Sequence, residues 1–184
     1  MKNREKSKPE LISPNCGDQR KVLGIDPGSI ICGYGLLGFD GKKSSYITSG
    51  RISPSSSLPL HFRLNHIFDS LTCIIREHRP DDIVVEKIFF AKGAKAALNL
   101  GHARGIILLA AAAENIDLHE CSALEVKKAV VGYGRADKRQ VQEMVKLILN
   151  IKGTLYDDSA DALALALCYI NTIKFNETIR YGSK

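Results

Sequence analysis

Residues 21–39, KVLGIDPGSIICGYGLLGF, place one carboxylate at the end of an apolar strand. Val22, Leu23 and Ile25 predict a short strand packed on both faces. Pro27-Gly28 supplies turn chemistry, and residues 30–39 resume as a second apolar strand spaced by glycines. Together they predict a β-hairpin with Asp26 where the first strand emerges. An ionised side chain there is costly unless a cation, a hydrogen-bond donor or water compensates it, which suggests a use. The competing reading is an aspartate that bonds its own Pro-Gly turn, and on the hairpin alone the two stand level.

Downstream, residues 45–52 read as a third strand and SPSSSLP, 53–59, as an exposed loop. Leu60, Leu64, Ile67, Leu71 and Ile74 recur at helical spacing up to Arg79-Pro80, predicting a packing helix. Residues 81–86, DDIVVE, then repeat the opening pattern, with β-branched residues ending in an acid. Glu86 is therefore a second candidate, against the plainer reading of a solvated strand-end glutamate. The loop that follows carries Phe89 and Phe90 among lysines, a pair suited to stacking on bases or to packing in a core. Residues 95–115, rich in Ala and Leu, predict a long helix buried against the sheet or against a second copy.

A short strand over 116–120 leads to Ser122-Ala-Leu-Glu125, a capping box that opens a helix ending at Gly132. Asp137 and Gln140 open the next helix, on which Val141, Met144, Val145, Ile148 and Leu149 keep a 3.6 period. GYGRADK between these helices, with Arg135 and Lys138, is either a phosphate-binding loop or a plain interhelical turn. YDDSADALALALCYI predicts a final helix. Asp157 and Asp158 suit a first turn, where acids complement the helix dipole, whereas Asp161 lies deeper in an apolar run.

The 184 residues are 45% hydrophobic, enough for one filled domain, and the net charge of +6 suits a polyanionic partner. We expect an arm over 1–20, flexible and basic, a domain over 21–175 and a tail over 176–184. Five dispersed cysteines without a C-x-x-C pair point to reduced thiols in a cytoplasmic protein rather than to zinc. The longest apolar run falls short of a membrane span, and the N-terminus lacks the apolar core of a secretory signal.

Gathering Asp26, Glu86, Asp158 and Asp161 at one sheet end concentrates negative charge that only cations can stabilise. Magnesium takes oxygen ligands and keeps positions for water and phosphate, so on a basic protein the cluster reads as a phosphodiester site. Two ions about 4 Å apart clamp the attacking water and the leaving oxygen. Lys138 supplies positive charge near the phosphate.

GIDPGSIICGYG, VVEKIFFAKGAKAALNLGHARG, VKKAVVGYGRADKRQVQ and DDSADALA, in this order and spacing, resemble the RuvC family of Holliday-junction resolvases. The resemblance implies an α/β, RNase H-like fold with a mixed five-stranded sheet flanked by helices. It implies a homodimer that nicks four-way junction DNA symmetrically with magnesium, manganese substituting, and works with a branch-migration motor complex. It puts Asp26, Glu86, Asp158 and Asp161 on the catalytic carboxylates, Phe89 on the aromatic at the junction centre, and Lys127 and Lys138 on basic positions used in DNA contact and catalysis. Lys92, Arg104 and Arg135 complete the expected DNA-contacting set. Lys87 stands where the family commonly has glutamine, and the N-terminal arm is longer than usual. Competing readings are another RNase H-like nuclease, a small actin-like phosphate-binding ATPase and a catalytically silent junction binder.

Overall fold

The computed structural model describes residues 19–87 and 93–181. Five strands form one sheet in the order β3-β2-β1-β4-β5. β1 (Arg20–Asp26) and β2 (Cys32–Phe39) make the expected hairpin, and β3 (Ser44–Ile52) extends it antiparallel. β4 (Asp82–Glu86) and β5 (Asp117–Cys121) join parallel on the other side of β1, reached through the helical crossovers that parallel pairing requires. The mixed sheet with flanking helices is therefore as expected.

Strand side chains alternate between faces, so the sheet separates two cores. Leu23, Ile25, Leu36, Ile83 and Val85 pack on one side with α1 (Leu60–His78) and α2 (Ala94–Ala113). Val22, Leu37 and Val84 pack on the other with α3 (Ala123–Val131), α4 (Lys138–Leu149) and α5 (Asp157–Tyr181). Asp26 and Glu86 keep the even phase of Val22 and Val84, so both belong to the α5 face. α5 is apolar nearly all round from Ala160 to Ile170 because the sheet covers one side and α3 and α4 the other.

Local chemistry sets the ends of these elements. Both capping boxes form, Ser122 with Glu125 and Asp137 with Gln140, and satisfy the first amides of α3 and α4. Arg79 closes α1 in the left-handed conformation just before Pro80. β1 takes in Arg20, one residue before the expected domain start, and α5 runs on to Tyr181, past the boundary expected at 175. Residues 1–18 of the expected arm lie outside the described residues. No helix among those described is long and apolar enough to cross a membrane.

Candidate active site

Glycines in the hairpin decide where α5 lies. A Cβ at Gly24 would meet the Ala162 carbonyl oxygen at 1.9 Å, and one at Gly33 would meet that of Asp158 at 2.1 Å. Only a bare backbone admits the helix this close. Ser159 then donates its hydroxyl to the Gly50 carbonyl at 2.9 Å and pins the first turn of α5 to β3. Because Gly33 is the register partner of Asp26, this packing carries Asp158 and Asp161 to the sheet end where Asp26 emerges.

Glu86 arrives from β4, the strand beside β1, and pairs in register with Cys121 of β5. Behind it, Arg104 Nη1 donates to the Glu86 carbonyl at 2.6 Å, while Nη2 bonds the Glu120 carboxylate. Arg104, expected at the DNA surface, is only 8% exposed and turns inward. Its guanidinium is taken up by two acceptors of the chain itself, so it holds the ends of β4 and β5 instead.

A cleft of about 200 Å³ opens over these groups, lined by Asp26, Glu86, Asp161, Lys127 and Lys138 above an apolar floor of Ala164 and Leu165. The carboxyl of Asp26 is pushed up to about 7, first by burial and then by the charges of Asp161, Asp158 and Glu86, with Lys138 opposing. Glu86 is raised too, by desolvation and then by Asp161. Lys138 Nζ sits 2.8 Å from Asp161 Oδ2, and this hydrogen bond raises its own pKa. Asp158 is half-buried beside Arg51, whereas Asp157 is exposed at the helix start.

Four carboxylates from β1, β4 and α5 thus share one sheet end with too little positive charge. All are hard oxygen donors, the chemistry that suits a divalent cation such as magnesium. Among the described residues no three Asp, Glu, His or Cys side chains close into a coordination shell. The Asp26 carboxyl is raised first by desolvation and then by its acidic neighbours, so a cation placed among these oxygens would lower the cost of ionising it.

The other expected residues fall in three places. Lys127 lines the cleft from α3, and Arg135 is exposed on the turn between α3 and α4, close to Lys138 in the chain. Phe89 and Lys92 lie outside the described residues. Arg51 and Tyr156 escaped the sequence reading. Arg51 Nη1 stands 3.8 Å from Asp158 Oδ2, and its guanidinium lies 3.6 Å over the Tyr156 ring. The signal for Arg51 is its register opposite Gly33, which becomes readable only once β3 is paired.

Residues 22–169 match the family model described as crossover junction endodeoxyribonuclease RuvC. The RuvC of Syntrophotalea carbinolica is 43% identical over 159 residues, covering 86% of this chain and 99% of that one. That of Alkaliphilus oremlandii is 44% identical over 160 residues, covering 86% and 98%. Thermus thermophilus RuvC, solved in complex with a Holliday junction substrate, superposes with a TM-score of 0.80 at 30% identity, covering 85% of this chain and 96% of that one. The yeast mitochondrial Holliday junction resolvase, 14% identical with a TM-score of 0.61, shares the fold. The sheet order, the α5 packing and these likenesses together identify the expected RNase H-like nuclease fold, and the chain belongs to the RuvC family of crossover junction endodeoxyribonucleases.

Proposed function

We propose that this protein resolves four-way DNA junctions by paired, symmetric hydrolysis of phosphodiester bonds, in recombination and repair. The observation that carries the reading is the convergence of Asp26, Glu86 and Asp161 in one cleft lined also by Lys127 and Lys138, where desolvation first and the acidic neighbours second push the half-buried Asp26 carboxyl up to about 7. Such a cluster is suited to cations and phosphate together, and the resolvase relatives supply the substrate class.

Asp26, Glu86, Asp158 and Asp161 would hold magnesium, two ions per site, with manganese able to substitute. When bound, the metal supplies the activated water and the charge that stabilises the leaving oxygen. Around it the chain's own groups do the positioning. Asp26 and Glu86 are fixed at strand ends by the sheet ladder, and Arg104 steadies Glu86 through its carbonyl. Lys138, 2.8 Å from Asp161, holds its proton and offers positive charge where negative charge develops on the phosphate. Lys127 and Arg135 extend the basic wall toward the strand. Phe89 keeps the contact at the junction centre that the family resemblance implies, and Lys92 belongs to the expected DNA-contacting set. The apolar floor limits water beneath the reacting phosphate.

A four-way junction has near-twofold symmetry, so two opposed nicks call for two identical sites. α2 offers the pairing face. Leu98, Leu108 and Leu109 are 61%, 46% and 55% exposed there, while Ala103, Ile107 and Ala110 on the same helix are buried. We place this dimer in the cytoplasm, with a branch-migration complex as its partner.

The test is cleavage of labelled junctions, flaps, hybrids and duplexes by wild type and Asp161→Asn. Wild type should cut the junction preferentially in magnesium. The variant should bind it with unchanged affinity and cut at least about a hundredfold more slowly. Preference for a hybrid over the junction would favour another RNase H-like nuclease, and junction cutting by the variant at the wild-type rate would remove Asp161 from the chemistry.

A further inference from the structure

Two cations approach individual carboxylates of the cluster, Lys138 from α4 and Arg51 from β3, and they are bound differently. Lys138 makes a close hydrogen-bonded pair with Asp161. Arg51 approaches Asp158 with a single nitrogen at 3.8 Å, beyond hydrogen-bond range and far from the bidentate fork by which arginine grips a carboxylate. Among the described residues its guanidinium makes no hydrogen bond to a protein acceptor, so its donors are available. It is still held in place. The guanidinium carbon lies 3.6 Å over the centre of the Tyr156 ring, an exposed ring one residue before α5, and this cation–π contact restrains the guanidinium without using its N–H donors.

The sheet aims this edge at the site. Asp26, Gly33 and Arg51 are successive partners across β1, β2 and β3, so Asp26 and Arg51 rise from the same face. Gly33 between them has no side chain, and the first turn of α5 fills that gap with Asp158. Asp158 is thereby flanked by an acid and a guanidinium. A divalent ion held by Asp158 competes with Arg51 for the same carboxylate, and a planar cation with unused donors at the rim of a phosphodiester site matches a phosphate oxygen pair.

We propose that Arg51, braced by Tyr156, is a two-state cation. Without divalent ions it shields Asp158, and once ions occupy the carboxylates it contacts a backbone phosphate of the DNA strand next to the scissile one. This inference rests on the nuclease reading above and adds a phosphate-contacting residue on β3, beside Asp158.

The two states predict effects of opposite sign in Arg51→Gln. Calorimetric titration of the DNA-free protein with manganese should show binding about 2- to 5-fold tighter in the variant, because a competing cation has gone. Junction affinity, followed by fluorescence anisotropy in calcium from 50 to 200 mM salt, should weaken, and the log–log salt slope should fall by about one phosphate contact. In EDTA the slope change should be smaller. Arg51→Lys should keep the salt slope, and Tyr156→Ala should lose part of it. Unchanged ion affinity and an unchanged slope in Arg51→Gln overturn the proposal. Joint weakening of ion and DNA binding overturns it too, since that is what a merely structural arginine gives. The nuclease reading fails separately, when wild type leaves the junction intact in magnesium whatever the Arg51 variants do.

Discussion

The two ends of β4 carry acids four residues apart on one face of the sheet, and their surroundings could hardly differ more. Asp82 opens the strand, only 2% exposed. Arg20 grips it with two hydrogen bonds of 2.6 and 2.8 Å, Tyr169 donates its hydroxyl at 3.0 Å, and His119 Nε2 lies 3.0 Å away. Burial by itself would raise its carboxyl, but the bonds to His119 and Arg20 outweigh that and hold it down to about 2. Glu86 closes the strand among Asp26, Asp158 and Asp161, where both its own carboxyl and that of Asp26 are raised. Donors complete the first end and turn it into a clasp between β1, β4, β5 and α5. The second end is left short of donors, which is the condition for taking up cations and a phosphate.

Removing the clasp should give the larger change in stability. Asp82→Ala leaves Arg20 without its buried partner, and urea unfolding should show a loss of about 3 kcal/mol. The rate of junction cleavage per folded molecule should hold, because the cluster lies at the far end of the strand. A drop in that rate at constant stability would erase the distinction between the ends.

Gly33→Ala attacks the other end through its packing. The new Cβ meets backbone, the Asp158 carbonyl at 2.1 Å, so α5 has to shift. Overpacking of this kind costs about 1–3 kcal/mol. Cleavage should fall by more than tenfold beyond the loss of folded protein, since Asp158 and Asp161 move with the helix. A stable variant with full activity would show that the close approach at Gly33 does not set the site.

The last contrast is one of pH, and the two ends give it opposite signs. Asp26 holds its proton in the folded state up to about 7, against 3.8 unfolded. The folded state therefore binds more protons across that window, and this group's contribution declines as pH rises from about 4 to 7. Asp82 holds its proton less tightly when folded, about 2 against 3.8, so its contribution is complete above 3.8 and is lost as pH falls toward 2. In EDTA, Asp26→Asn should be more stable than wild type at pH 7, with the gap closing by pH 4. Urea midpoints across this range provide the measurement, and a gap that widens toward acid contradicts the assignment.

Much of the architecture was readable along the chain, because strands, caps and helical periods are local. The hairpin around Pro27-Gly28, both capping boxes and the 3.6 period from Val141 to Leu149 all form where they are expected. Arg104 was not readable. A cation on an Ala-rich helix looks like a surface residue until β4 and β5 supply the Glu86 carbonyl and Glu120 as acceptors. Asp82 and Arg51 were equally opaque, since their partners lie on strands and helices distant in sequence.

Spacing and residue type along one chain suffice for the elements, the order of the acidic motifs and the membership in a nuclease family. Which carboxylate became a clasp and which was left short of donors, and that Arg104 turned inward while Arg51 came to lie beside Asp158, emerged only when the elements packed together. The reason is physical. Desolvation and Coulomb interactions depend on distance in space, and only the sheet register and the seating of α5 on Gly24 and Gly33 set those distances.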